Sequence, residues 1–246
     1  MTDVAREDDN LTGSLTTIAA DIAYLGPQKL GDAVSLVKLK TQKTFGRDSE
    51  KGNLPQSEWQ RIAAALERCP KGGSILDIGI GRGLLSNSLV LSGKYDRVVG
   101  IDVAAHSLFR SYSDKAEYYT MSVEDMCFDD DEFDSVVCLE VLSHLTMSQI
   151  RLAVEEMRRV ARRYLLVSVP FCQPVPLPQH HRQRFTPAEV RELFPDAKLT
   201  LLIKGGKSSS QGTPILFIEE QYDAIATQKT GISVQVGQEQ ADFAAH

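Results

Sequence analysis

The chain lacks any long apolar run, because none of its 246 residues lies in a window of about 18 consecutive apolar residues, the length of a membrane-spanning helix. Basic residues are not in excess either, since 27 Lys and Arg stand against 33 Asp and Glu, for a formal net charge of −6. Proteins dedicated to nucleic acids usually present a basic face. Composition therefore predicts neither a membrane span nor a nucleic-acid partner.

Disulfide frameworks and secretory signals are missing as well. The four cysteines form no C-x-x-C pair, and two of them lie in or beside apolar strands, as buried reduced thiols do. The amino terminus is acidic and has no basic or apolar region of a secretory signal. Both features predict a cytoplasmic protein. Apolar residues make up 42% of the chain, which is enough for a sizeable core.

The most informative segment that is present covers residues 74–83, where an apolar strand ends on Asp77 and opens into three alternating glycines. A second apolar strand follows and ends on Asp102. Parallel strands place their carboxyl ends at one edge of a sheet, where glycines let a ligand approach the backbone and an acid can bind ribose hydroxyls. The sequence therefore predicts a site for an adenosine-containing cofactor. The glycines are Gly79, Gly81 and Gly83.

The glycine spacing discriminates between cofactors. A dinucleotide fingerprint reads G-x-G-x-x-G, whereas this segment reads G-x-G-x-G and carries Leu84 where the dinucleotide pattern has its last glycine. Asp77 precedes the first glycine by two residues. Its carboxylate would repel a pyrophosphate but suits a cofactor with an ammonium or sulfonium group. A tight turn without a ligand is the alternative interpretation of these glycines.

Strand and helix patterns alternate along residues 55–222, which predicts an α/β fold with a doubly wound sheet. Seven strands are expected, mostly parallel, and the last two, Leu199–Lys204 and Ile215–Glu220, should form a closing antiparallel hairpin. One helix is predicted over Ala104–Ser113, and a longer one should begin at a cap on Ser148.

Two flanking segments stand apart from this core. Residues 1–54 contain helical patterns near Leu15–Leu25 and Asp32–Leu39, which predict a helical extension that either covers the sheet edge or forms a lid over the site. Residues 223–246 are polar and poor in large apolar groups, as mobile tails are.

Segments from about Ser74 to Pro170 resemble, in order, the class I S-adenosylmethionine-dependent methyltransferases, in particular their type 11 small-molecule subgroup. The resemblance implies a Rossmann-like sheet and makes residues 55–222 the S-adenosylmethionine-binding domain. It further implies in-line transfer of a methyl group to an oxygen of a small-molecule metabolite, with S-adenosylhomocysteine as product. The segments are Asp77–Gly83, Gly100–Val103, Val123–Phe128, Phe133–Leu145, Glu156–Val160 and Leu165–Pro170.

The resemblance also implies roles around the cofactor. Asp77 would accept from the ammonium group, and Asp102 would bind the two ribose hydroxyls. Asp125 would accept from the adenine amine, while the backbone amide of Met126 would reach a ring nitrogen. The full implied set is Asp77, Gly79, Gly81, Gly83, Asp102, Val103, Asp125, Met126 and Leu139.

Histidines supply the candidate base. His144 follows the fourth strand at the edge where the ligands would lie, and its ordinary pKa of about 6.5 suits proton transfer near neutral pH. Packing or capping in that turn is its alternative role. His180, His181 and Arg184 lie in the loop after the fifth strand and would bind the acceptor, or the histidine pair would replace His144 as base. No set of residues with metal-ligand spacing accompanies them, so no metal is expected.

Three alternatives to O-methyl transfer stay open. The first is N-methylation of a small molecule. The second is a nicotinamide-dependent oxidoreductase, which Leu84 and Asp77 disfavour. The third is a non-catalytic protein that binds the cofactor. The expected partner is a small-molecule acceptor, and the sequence contains no pattern from which an oligomeric state follows.

Overall fold

The structure, a computed structural model, describes residues 22–25, 56–107, 109, 111, 114–202 and 213–222. The strands in these residues are β1 (Ile22–Leu25), β2 (Ser74–Ile78), β3 (Arg97–Asp102), β4 (Ala116–Thr120), β5 (Phe133–Leu139), β6 (Ala161–Pro170), β7 (Lys198–Leu202) and β8 (Ile215–Gln221). The helices are α1 (Gln56–Arg68), α2 (Leu84–Ser92), α3 (Met147–Val160) and α4 (Pro187–Leu193), with a short 3-10 turn at Leu142–His144.

The strands form one sheet in the order β1-β7-β8-β6-β5-β2-β3-β4. Strand β2 pairs in parallel with β3 on one side and with β5 on the other, so the chain winds outward in both directions from this point. Strand β8 runs antiparallel between β6 and β7. Ligands of open α/β sheets bind where the winding reverses, beyond the carboxyl ends of the strands. In this chain that position lies above β2, β3 and β5.

The predicted fold class is confirmed. All seven predicted strands are present, and the sheet is doubly wound, mostly parallel and closed by an antiparallel strand pair. Strand β1 adds an eighth, in a segment for which the sequence predicts a helix. Its residues pair in parallel with β7, where an edge strand offers unpaired backbone groups to the apolar Ile-Ala-Tyr-Leu run. The remaining residues of the predicted extension, and the tail, lie outside the described residues.

Two helix predictions need correction. Residues 103–107 form bends and a turn after β3 instead of the first part of a helix over Ala104–Ser113. Helix α3 begins one residue after Thr146, not after Ser148. Thr146 and Gln149 bond reciprocally as a capping box, which satisfies two amide groups at the start of the helix, whereas Ser148 offers no such partner.

Helix α1 is held across the back of the sheet by a buried ion pair. Its last residue, Arg68, donates through Nε to Glu219 Oε1 on β8 at 3.2 Å. Tyr164 on β6 donates to the other oxygen of Glu219 at 3.0 Å. Because both charges are nearly buried and hydrogen-bonded, this end of α1 has one position relative to the sheet. None of the helices in the described part of the chain is long and apolar enough to cross a membrane.

Candidate functional site

Two adjoining cavities lie at the carboxyl ends of β2, β3 and β5. The larger has a volume of about 390 Å³ and the smaller about 240 Å³. Both are lined by Gly79 and Leu139, so these residues mark the point where the cavities meet. Ligand sites in proteins are concave and of this size, and they favour this position in doubly wound sheets.

The glycine loop after β2 is shaped by hydrogen bonds from its backbone amides to β3. The Gly79 amide donates to the Ile101 carbonyl at 2.8 Å, and the Gly81 amide donates to Asp102 Oδ2 at 2.9 Å. Gly79 has φ +80°, and a Cβ there would lie 2.2 Å from Val141 Cγ2. Gly81 has φ +47°, but a Cβ there would meet no atom within 4 Å. The loop therefore leaves open space at Gly81, beside the smaller cavity.

Gly83 has a different role from the other two glycines. It adopts φ +84° as the residue before helix α2, and its carbonyl accepts the Asn87 amide at 3.0 Å. Neither cavity is lined by Gly83. The structure thus places this predicted cofactor residue at the start of a helix, where its left-handed backbone completes the turn.

Asp77 is a buried carboxyl group at the end of β2, with only 2% of its surface exposed. It lines the smaller cavity and accepts a hydrogen bond from the Ser86 hydroxyl on helix α2. Burial raises the pKa of Asp77 to about 6, against the lowering effect of the Ser86 hydrogen bonds. The nearby charge of Asp102 raises this pKa further. An acid in this setting is favoured in its ionised form by a cation in the cavity.

Asp102 ends β3 and Val103 follows it, and both line the larger cavity. Asp102 binds the Gly81 amide with one carboxylate oxygen, and its other oxygen lies 3.4 Å from the Ala104 amide. Val103 is 68% exposed, which is unusual for a large apolar residue and leaves its side chain available to a flat ligand. Both predicted positions are therefore at the cavity.

Asp125 and Met126 are not placed as expected. Asp125 is exposed and lines neither cavity. The Met126 amide, predicted to reach an adenine nitrogen, donates to Glu156 Oε2 at 2.8 Å. Glu156 is fixed for this contact by Arg159, which binds both of its carboxylate oxygens. The wall of the larger cavity is formed instead by the residues just before this pair: Met121, Ser122, Val123 and Glu124.

Helix α1 contributes two charged residues that no sequence motif indicates. Glu58 and Arg61 line the smaller cavity beside Asp77. Arg61 Nε and Glu58 Oε2 are buried and have no hydrogen-bond partner among the described residues. Arg61 reaches toward Glu140, with 3.9 Å between Nη1 and Oε2. Nothing local in the helix pattern distinguishes these two from other charged residues, so only their packing identifies them.

Glu140, the residue after β5, lines the larger cavity and is held in a strained conformation. Its φ of +63° is rare for a residue with a side chain. Two hydrogen bonds to Ser168 on β6 maintain it, one from the Glu140 amide to the Ser168 carbonyl and one from the Ser168 hydroxyl to Glu140 Oε1, both at 3.0 Å. Such strain persists where surrounding contacts enforce it, often at functional sites.

His144 ends the 3-10 turn and lines the larger cavity. Its Nδ1 lies 2.8 Å from the His180 carbonyl oxygen. A carbonyl oxygen can only accept, so Nδ1 carries the proton and Nε2 of the neutral ring keeps its lone pair. The amides of Arg182 and Gln183 donate to the Ser143 carbonyl at 2.7 and 3.4 Å, which fastens the loop to this turn.

The three residues predicted to bind the acceptor do not line the two cavities. His180 contacts His144 through its backbone. The His181 ring packs against the His144 ring, with centroids 5.1 Å apart. Arg184 has a buried Nε without a hydrogen-bond partner in the described part of the chain. The structure thus brings both histidines to His144 and places Arg184 elsewhere on the same loop.

The described residues contain no cluster of three or more His, Cys, Asp or Glu side chains that could hold a metal ion. The four cysteines are present as free thiols, and burial raises the pKa of the Cys172 thiol, the one in the loop after β6.

Comparison with known proteins finds a family match that includes much of this site. Residues 75–163 match the family described as a methyltransferase domain. A ubiquinone biosynthesis O-methyltransferase of Xanthomonas axonopodis pv. citri (strain 306) is 37% identical over 93 residues, covering 34% of this chain and 36% of that protein. A protein of the same name from Glaesserella parasuis serovar 5 (strain SH0165) is 32% identical over 122 residues, covering 40% of this chain and 51% of that protein.

The chain thus spans between about a third and a half of the length of these curated relatives. Among solved structures, that of a small RNA methyltransferase superposes with a TM-score of 0.56 at 20% identity. The match covers 69% of this chain and 26% of that protein. At this identity the likeness shows the fold alone.

Proposed function

Because residues 75–163 match the methyltransferase-domain family, we propose that the chain is a class I S-adenosylmethionine-dependent methyltransferase that transfers a methyl group to an oxygen atom of a small molecule. The predicted family and cofactor are confirmed for this domain, whereas the acceptor is inferred. One observation carries the choice of oxygen. The tautomer of His144 leaves Nε2 as a proton acceptor at the larger cavity, and a hydroxyl acceptor benefits from a base, whereas a neutral amine needs none.

The residues at the sheet edge fit the cofactor. Open space beside Gly81 leaves room for a ligand against the backbone. Asp77 is a buried carboxyl with a raised pKa, so a ligand ammonium would stabilise its ionised form. Asp102 lines the larger cavity, where it would bind ribose hydroxyls, and Val103 would cover the adenine. The bound cofactor supplies an activated methyl group on a positively charged sulfur.

Arg61 completes the methionine end of the site in this proposal. Its guanidinium lines the smaller cavity, and its buried Nε has no hydrogen-bond partner among the described residues. Nη1 lies 3.9 Å from Glu140 Oε2, and the positive charge also acts on Asp77. A carboxylate is the group that a guanidinium binds best, through paired N–H donors. Arg61 would therefore hold the carboxylate of the methionine moiety in the cavity that the glycine loop also lines.

His144 then acts on the acceptor. The proton of the acceptor hydroxyl moves to Nε2 of His144. The other ring proton stays on Nδ1, which keeps its hydrogen bond to the His180 carbonyl. Val141 and Leu145 line the same cavity and would exclude water from the reacting oxygen. Alignment of the acceptor oxygen with the methyl group supplies most of the remaining rate enhancement.

The names of the curated relatives support an oxygen acceptor. Their specific acceptor does not transfer, because the matched segment leaves most of this chain uncovered. His180, His181 and Arg184 remain a prediction as acceptor-binding residues. The expectation of no nucleic-acid partner likewise stays a prediction from composition.

The first experiment is calorimetric titration of the whole chain with S-adenosylmethionine, S-adenosylhomocysteine and NAD in parallel. We expect micromolar binding of the first two and none of NAD. Asp102→Ala should weaken that binding by about 10- to 100-fold, the range for a lost hydrogen bond to a charged group. Asp125→Ala is the matched control, because it removes the same carboxylate outside both cavities. Binding of NAD alone would overturn the proposal.

A panel of phenols, aliphatic alcohols and amines then tests the acceptor atom by mass spectrometry. Methylated phenol or alcohol products support the proposal. Products methylated only on amines would favour N-methylation and remove the argument from His144. Tight cofactor binding with no product from any class would point to the non-catalytic alternative.

A further inference from the structure

His181 packs against the proposed base although it lines neither cavity. The His144 and His181 rings meet edge to face, with their planes at 83° and their centroids 5.1 Å apart. Aromatic rings prefer this arrangement because the positive edge of one faces the negative face of the other. The contact joins a residue of the β5 turn to one of the loop after β6. It is therefore a tertiary contact to the base itself.

Gln173 fixes the orientation of His181. Only 6% of its surface is exposed, and its Oε1 lies 2.8 Å from His181 Nδ1. The amide oxygen accepts, so Nδ1 of His181 carries the proton in the same way as Nδ1 of His144. Both rings thus hold the same tautomer, each through a neutral oxygen acceptor. The acceptor of this histidine N–H is thus a neutral, buried amide and not a carboxylate, the other common partner.

The neutral acceptor matters for the charge of His181. Burial lowers the pKa of His181, and the neighbouring His144 and His180 lower it further. A carboxylate in place of Gln173 would act in the opposite direction, because an opposite charge stabilises the imidazolium. Gln173 is neutral and does not offset this lowering, so the neutral form of the His181 ring is favoured.

We propose that Gln173 and His181 are positioning residues for His144, with Gln173 holding His181 as a neutral ring that supports the protonated form of the base. The inference rests on the proposed function, in which His144 accepts the proton of the acceptor hydroxyl. A neutral ring at this distance stabilises a neighbouring cation, whereas an imidazolium would repel it. The pair therefore keeps the base both oriented and able to accept a proton.

Other charged groups surround the pair. Those that share the larger cavity with His144 are carboxylates. The loop adds its own charges beside His181. The groups at the cavity are Asp102, Glu124 and Glu140, and those on the loop are His180, Arg182 and Arg184. The charge of Arg184 also acts on the Cys172 thiol, where it lowers the pKa against the larger, raising effect of burial.

Histidine NMR on the unmodified chain tests the inference without any assay of activity. Nitrogen shifts of the imidazole rings report the tautomer and the titration of each of the five histidines. We expect both His144 and His181 as Nδ1–H tautomers above their pKa values, and His181 titrating below the ordinary value of about 6.5. An Nε2–H tautomer at His181 would overturn the role of Gln173.

Gln173→Glu is the decisive variant, with Gln179→Glu as its matched control. Both add one carboxylate to the same loop, but the Gln179 side chain is exposed. In Gln173→Glu the pKa of His181 should rise by about one unit and that of His144 should fall, since like charges disfavour double protonation. Gln179→Glu should leave both unchanged within about 0.2 units, well below the shift of about one unit expected for a contacting charge. Equal shifts in the two variants would mean that the effect is not local.

Kinetics of the same variants separate positioning from a structural role. In Gln173→Glu we expect the acid limb of the kcat profile to move to lower pH and the plateau to fall several-fold, with S-adenosylmethionine affinity retained. A lower plateau with an unmoved acid limb would indicate structural damage and overturn the inference. If the wild-type chain transfers no methyl group, the proposed function fails while the NMR titrations still decide the coupling.

Two further measurements test the role of the Gln173 oxygen and whether the two rings bind a metal ion. Gln173→Met keeps the volume of the side chain and removes its oxygen, so it should raise the share of the Nε2–H tautomer at His181 even if the glutamate variant does not fold. Addition of Mn²⁺ to the wild-type chain should leave the histidine resonances sharp. Selective broadening of His144 and His181 together would identify the rings as metal ligands and overturn the inference.

Discussion

The cofactor edge (Gly79–Asp102) and the histidine turn (Leu142–His144 with residues 172–185) differ in what determines their shape. At the cofactor edge, amides of the glycine loop donate to the end of β3, as from Gly79 to the Ile101 carbonyl. In the histidine turn, a ring nitrogen of His144 reaches a carbonyl 36 residues away in a separate loop. One region is built by the backbone around glycines, the other by side chains that meet only after the sheet has formed.

This difference has consequences for how each region tolerates change. A backbone site depends on conformations that only glycine adopts easily, so small added groups should damage it. A side-chain site depends on particular functional groups, so their removal should stop the chemistry and leave cofactor binding intact. The following variants test that contrast in order of decreasing effect.

His144→Ala should have the largest effect, and only on turnover. Loss of a general base lowers rates by about 10²- to 10⁴-fold, while S-adenosylmethionine affinity should hold because the cofactor edge is unchanged. Single-turnover methyl transfer and calorimetry measure the two quantities. Near-normal turnover would show that His144 only packs or caps the turn.

Gly79→Ala and Gly81→Ala separate two kinds of damage at the cofactor edge. Both place a side chain at positive φ, at a cost of about 1 to 2 kcal/mol. At Gly79 the new methyl would also collide with Val141, so its free energy of unfolding should fall further. At Gly81 the methyl enters open space, so this chain should fold and lose mainly cofactor affinity. Denaturant titration and calorimetry compare the pair. Unchanged affinity in Gly81→Ala would place the cofactor away from this glycine.

The raised pKa of Asp77 predicts opposite effects of rising pH on the free energy of unfolding and on cofactor affinity. Its pKa is about 6 in the folded chain and about 3.8 when exposed, so the folded chain binds more protons between these values. The free energy of unfolding should therefore fall as pH rises from about 4 to about 6, by about 3 kcal/mol for this group. Cofactor affinity should rise over the upper part of the same range, as the carboxylate forms.

Asp77→Asn is the control for this pH effect. Asparagine cannot ionise, so the variant should lose both the stability slope and the rise in affinity between about pH 4 and 6. Urea titrations and calorimetry at several pH values provide the comparison. The same slopes in variant and wild type would assign them to other groups.

Ser168→Ala should have the smallest effect. It removes the hydroxyl that binds Glu140 Oε1 but leaves the backbone contact between these residues. A single neutral donor contributes about 1 kcal/mol, so unfolding free energy should fall by about that amount. Glu140 lies between the two regions, so cofactor affinity and turnover should both fall a few-fold. An effect on turnover alone would assign Glu140 to the histidine turn.

The sequence was most informative where the site is local. Asp77, Gly79 and Gly81 were predicted together and line one cavity, because their spacing along the chain is their spacing in the loop. The cavity-lining residues after β4 were harder to predict. Glu156, on helix α3, captures the Met126 amide, which moves the cavity wall to Met121–Glu124. Such a contact joins residues 30 positions apart and has no pattern in the segment itself.

Helix and strand alternation, the glycine loop and the acid at the end of β3 determined the fold class and the cofactor edge, because these depend on local periodicity and backbone freedom. The tertiary structure decided the rest. It aimed Arg61 at the smaller cavity by fixing helix α1 through Arg68 and Glu219, and it gave His144 its tautomer through the His180 carbonyl. The charge and orientation of a side chain depend on groups that packing brings near it. Distance along the chain does not predict those groups.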